Sequence, residues 1–199
     1  MKTTKSLAKR ISALAVIAIF GMSSLFAQKS GVYKTYSDYQ SGKLTYGIDC
    51  AKETHKIKLN DFWGKDFITV VHEGKSYDLK KADIWGFELC DSKIVRFQGK
   101  EDYQLADKSI LWIYSKQTVV SAGAKTGGTK KVTAYYFSKG GAGEIKPLTL
   151  LNIKAAYPDN HMLHDAIDSK FDSDASLGVY DEFHKHYKIN HFLEAQGIK

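Results

Sequence analysis

The hydrophobic period of this chain changes once, and that single change limits the folds open to it. From Leu44 to Phe137 apolar residues alternate with polar ones; from Leu148 onward they recur at helical spacing. A period of two puts one face of an extended strand on a core, whereas a period of about 3.6 draws an apolar stripe along a helix. Leu44, Tyr46, Ile48 and Cys50 alternate with Thr45, Gly47 and Asp49, and Trp85, Phe87 and Leu89 share one face of a later run. His55, Ile57 and Leu59 repeat the pattern, and Phe67 to His72, Ile94 to Phe97, Ile110 to Tyr114 and Val132 to Phe137 are rich in β-branched and aromatic residues. Short connections carrying Gly, Asp, Ser or Lys predict hairpins. Val71 to Leu79 and Arg96 to Leu105 echo one another, each a strand, a Gly-Lys turn and a Tyr-x-Leu return, and read as successive hairpins of a meander.

Helical signals flank the sheet. Ser37, Gln40 and Gly42 predict one capped turn before it. After it, Pro147 suits a first turn, Leu148 to Tyr157 is helical and Pro158 ends it. Asn160 caps a second helix with Met162, Leu163, Ala166, Ile167 and Phe171 apolar. A third begins at Asp174 or Ser176, carries Val179, Tyr180, Phe183 and Tyr187, and restarts near Asn190 with Ile189, Phe192 and Leu193. The expected fold is therefore α+β: an antiparallel β-meander, barrel-like or sandwich-like, followed by C-terminal helices that pack on the sheet. It divides into a β-rich part over residues 28–139, a glycine-rich linker over 140–146 and a helical segment over 147–199.

Residues 1–27 read as a cleaved signal peptide. Lys2, Lys5, Lys9 and Arg10 precede the apolar run from Ile11 to Phe20, and Ala27 offers a small residue at the junction. Export to a periplasmic or extracellular setting follows, with no transmembrane span after cleavage. Four of the 29 basic residues and none of the 22 acidic ones lie in that leader, so the whole-chain charge of +7 falls to +3. Only Arg96 remains as an arginine. A weak charge without guanidinium forks argues against a nucleic-acid partner. The sequence names no partner; an envelope protein and a glycan are the candidates.

An oxidising compartment and an even count favour a Cys50–Cys90 disulfide. The alternative is two buried thiols acting as small hydrophobes. His161 and His164, with Asp165 and Asp168 one turn on, are the candidate metal ligands; His184, His186 and His191 lie further along. They lack the HExxH spacing, and the solvated face of an amphipathic helix explains them as well. Asp172 to Gly178 starts like a calcium loop but places Leu177 and Phe183 where the turn Gly and bidentate Glu belong. Gly123 to Lys130 departs from a phosphate loop by entering a strand. Trp85 and Trp112 fall in apolar strands, whereas Trp63, at a turn, is the candidate for stacking on a sugar.

The Leu25-Phe26-Ala27-Gln28 junction, the Gly31-Val32-Tyr33 start, Ile84-Trp85-Gly86-Phe87 and Tyr180-Asp181-Glu182-Phe183-His184 resemble uncharacterised small secreted proteins of Bacteroidetes-type bacteria. That resemblance implies export and assigns no activity to any residue. The sequence thus favours a non-catalytic exported binding or structural module without a cofactor. A metal-assisted hydrolase using His161 and His164, and a glycan binder using Trp63, are the alternatives.

Overall fold

The computed structural model describes residues 29–52, 56–60, 64–122 and 127–198. The leader and Trp63 lie outside these residues. The fold is α+β, with antiparallel sheets and mostly C-terminal helices.

The principal sheet has eight strands in the order β11-β10-β9-β8-β7-β6-β1-β2. They are β1 (Lys29–Tyr33), β2 (Thr45–Asp49), β6 (Gly86–Glu88), β7 (Ile94–Gln98), β8 (Glu101–Lys108), β9 (Trp112–Ser121), β10 (Thr129–Ser138) and β11 (Lys146–Pro147). From β6 to β11 the chain is a meander; β1 is inserted between β2 and β6. The sheet is open rather than a closed barrel, with β11 and β2 as its edges. A second sheet of β3 (Lys56–Lys58), β4 (Phe67–His72) and β5 (Lys75–Lys80) stands apart from it. The two echoing hairpins therefore belong to different sheets. Their turns differ too: Glu73 and Gly74 both take positive φ at the β4–β5 turn, whereas Gly99 opens the β7–β8 turn.

Residues paired across antiparallel strands point to the same side, which assigns the two faces of the large sheet. One face carries Val32, Phe87, Val95 and Phe97 at one end and Ile113 with Phe137 at the other. The small sheet packs on the first group through Ile68 and Val70 of β4. The helices pack on the second. Each fully buried aliphatic or aromatic side chain contributes about 1.5–3 kcal/mol, so both contacts are anchored by burial.

The helical lobe consists of α2 (Leu150–Ala156), α3 (His161–Lys170), α4 (Asp174–Leu177) and α5 (Lys188–Ala195). Thr149 caps α2 and Asn160 caps α3, each accepting a backbone N–H from the first turn. Pro147 sits in β11, so α2 starts later than the proline signal indicates. The expected third helix is a single turn, α4, followed by a two-stranded hairpin of β12 (Tyr180–Asp181) and β13 (His186–Tyr187). The helix restarts as α5. Phe183, read as an apolar stripe residue, is 88% exposed at the hairpin tip, and Met162 is 85% exposed on α3. Asn190 docks α5: its Oδ1 accepts from the Leu111 N–H and its Nδ2 donates to the Leu111 carbonyl, both at 2.9 Å, satisfying backbone at the β8–β9 connection.

The opposite face is covered by α1 (Tyr36–Ser41) and by the segment after β10. The cap of α1 is Thr35, in a capping box with Asp38, rather than Ser37. Stretch 140–146 joins the β-rich and helical parts, yet it is packed rather than a free spacer. The Gly141 carbonyl accepts from Trp85 Nε1 at 2.8 Å. A Cβ on Gly141 would lie 2.2 Å from the Tyr36 ring and 2.7 Å from Trp112, so only glycine fits there. Beneath it Arg96, 6% exposed, donates to Tyr114 Oη (2.9 Å), Ser138 Oγ (3.2 Å) and the Gly143 carbonyl (2.6 Å).

Cys50 and Cys90 are disulfide-bonded with Cα atoms 5.7 Å apart. They follow β2 and β6, the two neighbours of β1, and so close over the end where β1 begins. Among the described residues no helix is long and apolar enough to cross a membrane.

Candidate functional site

The two lobes occupy the two ends of one sheet face, and the strip between them is uncovered and polar. Inward positions on β9 run Ile113, Ser115, Gln117: apolar under the helices, then polar. Gln104 of β8 pairs with Ser115, and Gln117 pairs with Thr133 of β10, its Nε2 donating to Thr133 Oγ1 at 2.8 Å. A cavity of about 510 Å³ lies over this strip. Its floor includes Val95, Gln104, Ser115 and Gln117, and its walls come from Leu59 and Gly64 of the small-sheet lobe and from the β7–β8 turn.

Lysines dominate its charge. Lys65, Lys81, Lys100 and Lys116 line it, against Glu101 and Asp102. Lys81 is 2% exposed, its ammonium 5.8 Å from the Phe97 ring centroid. Lys116 is ion-paired with Glu101, which holds that carboxyl below its usual range. Hydrogen bonding to Glu101, and the nearby Asp102, raise the Lys116 ammonium although desolvation opposes this most strongly. Lys65 and Lys100 are exposed, and neither has an ion-paired carboxylate among the described residues. Lys116 alternates with Ser115 and Gln117 and holds its ammonium over the Tyr103 ring on the other side of the sheet, so the cleft charge comes from Lys65, Lys81 and Lys100, beside neutral amide and hydroxyl groups. Among the described residues that line it there is no histidine and no cysteine.

The histidines read as metal candidates are placed elsewhere. His164 Nε2 lies 3.1 Å from the Lys154 carbonyl and 2.9 Å from the Tyr157 carbonyl, so it serves as a donor to the C-terminal end of α2. That bond fixes the tautomer and leaves Nδ1 as the ring nitrogen with the lone pair. Asp168 is ion-paired with Lys154 at 2.5 Å, whereas His161 and Asp165 are solvent-exposed. The His161 and His164 rings do meet edge to face, with centroids 5.8 Å apart, but Asp168 is tied to Lys154 and Asp165 lies in solvent. His184 instead meets Asp181 at 2.9 Å and stacks on His191 with ring centroids 3.8 Å apart. The hydrogen bond from His184 and the backbone N–H groups of His184 and Phe183 pull the Asp181 carboxyl down to about 2. Among the described residues no group of three or more His, Cys, Asp or Glu side chains is arranged to hold a metal.

Trp85 and Trp112 lie in an aromatic cluster under α1, with Trp85 stacked on Tyr39 at 4.3 Å. The cleft residues were not singled out by motif. Their one legible signal is the switch from Ile113 to Ser115 and Gln117 on positions that alternation assigns to the interior. No family model, curated protein or solved structure matches this chain.

Proposed function

We propose that the chain is an exported, non-catalytic binding module that holds an anionic ligand in the lysine-lined cleft between its small-sheet lobe and the open face of the large sheet. One observation carries this reading: a central strip of sheet is left polar and uncovered, with the exposed lysines Lys65 and Lys100 at its rim. A sheet face that both lobes could have buried further would otherwise be apolar, because burying amide and hydroxyl groups without partners costs free energy. The leader and the disulfide support export. The ion pair of Asp168 with Lys154 and the exposed position of Asp165 leave His161 and His164 without a converging third ligand among the described residues, which favours this reading over the hydrolase alternative.

The test is amide-shift mapping by NMR with galacturonate as a small carboxylate probe. Shifts centred on Gln104, Ser115 and Gln117, removed in K65E/K100E, are the expected result. Shifts scattered over the surface, or none, would overturn the reading. Near-stoichiometric zinc in tag-free protein, lost in H161A/H164A, would restore the hydrolase.

A further inference from the structure

The β9–β10 ladder does not end at the cleft. It continues for six residue pairs, from Lys116↔Ala134 to Ser121↔Thr129, past the last residue that pairs with β8. At strand spacing this is a two-stranded ribbon about 20 Å long. Parity places Val119 and Lys131 on the same side of the ribbon as Gln117 and Thr133, and hence on the side of the cleft floor. Lys130 and Val120 face the other way. From Lys108 to Gly143 the sequence has six lysines and no acidic residue. Lys130 and Lys131 are exposed and make no ion pair among the described residues. An isolated two-stranded ribbon gains little stability by itself, and this one is left uncovered, with Lys130 and Lys131 in solvent beside Val119, which is 62% exposed.

Resting on the cleft reading above, we infer that the cleft is one end of a track for a linear acidic polysaccharide, which continues along the ribbon to Lys131. The chemistry selects this occupant. Sugar carboxylates or sulfates are interspersed with hydroxyls, and the track has Lys65 and Lys100 at one end, the Gln104, Ser115, Gln117 and Thr133 side chains in the middle and Lys131 at the other end. A nucleic acid fits less well. Arg96, the one arginine after the leader, is buried on Tyr114, Ser138 and Gly143, so no guanidinium fork reaches a phosphate. Among the described residues that line the cleft there is also no aromatic side chain on which a base could stack.

The experiment measures binding of an oligogalacturonate octamer and of monomeric galacturonate by calorimetry at two salt concentrations. Wild type, K65E/K100E, K131E and K130E are compared after circular dichroism has confirmed unchanged folds. K131E should weaken the octamer about fivefold, near the upper end of one exposed ion pair, and K130E less than about twofold. Both should leave the monomer unchanged, whereas K65E/K100E should weaken both ligands. Equal effects of K130E and K131E, or none, would refute the track and leave the cleft standing. Monomer and octamer binding both indifferent to K65E/K100E would remove the cleft reading itself. Tighter binding of duplex DNA or of phosphatidylserine vesicles, weakened by K131E, would replace the polysaccharide by that partner.

Discussion

Opening the Cys50–Cys90 bond should cost this protein a large share of its stability, and the placement of the bond says why. The two residues are separated by 40 positions in sequence. That loop contains the whole small sheet, β3 to β5, which packs on the large sheet through Ile68 and Val70. Loop closure of this length removes about 4 kcal/mol of denatured-state entropy in the chain-entropy model. Against a usual total of about 5–15 kcal/mol, that is decisive. For a domain of this size it corresponds to a fall in Tm of about 8–16 °C. Both cysteines are half-buried, so C50A/C90A leaves little cavity and isolates the chain-entropy effect. Urea unfolding followed by tryptophan fluorescence, with and without reductant, measures the change. The midpoint should fall and the m-value should rise, because the uncrosslinked denatured chain exposes more surface. Equal midpoints for the oxidised protein and C50A/C90A would refute the reasoning. Two thiols titrated in unreduced, denatured protein would refute its premise.

Three further outcomes follow from the same structure. Arg96→Met should lose about 2–5 kcal/mol in urea unfolding, since Tyr114, Ser138 and the Gly143 carbonyl lose a shared donor; a loss under about 1 kcal/mol would show that Arg96 does not tie the glycine-rich stretch down. Desolvation, then the neighbouring Tyr135, push the Tyr187 phenol up to about 12, and burial together with Glu88 raises Tyr33 further. Because these folded-state values lie above the unfolded value of about 10, their stabilisation is complete below about pH 10 and is lost as pH rises toward 12; absorbance at 295 nm should show late-titrating tyrosines that ionise with unfolding, and a single step for all 12 near pH 10 in a folded chain would contradict this. Asp181, held down to about 2, contributes above its unfolded value of about 3.9 and loses that contribution as pH falls toward 2; carbon NMR should show its titration midpoint move upward in H184A, and no movement would remove His184 as the main cause.

Period and caps made the broad fold legible in the sequence. Alternation marked most strands of the large sheet, Asn160 marked the start of α3, and Leu163, Ile167 and Phe171 marked its buried stripe. These are local signals: each residue acts through its own strand or turn, so no partner need be known. The segment after Asp174 misled for the same reason. Val179, Tyr180, Phe183 and Tyr187 keep helical spacing, but β12 and β13 pair across a turn with Lys185 at φ 58°, and Phe183 is left in solvent. Cys50 and Cys90 could be paired from their number, although only the insertion of β1 between β2 and β6 showed what the bond encloses. The cleft was beyond local reading altogether. Gln104, Ser115 and Gln117 are ordinary strand residues until the small-sheet lobe, distant in sequence, settles on the same sheet face and walls the space beside them. Sequence period decides which side of a strand a residue faces; which sides are covered, and by what, is decided only when long-range packing selects one arrangement of the lobes.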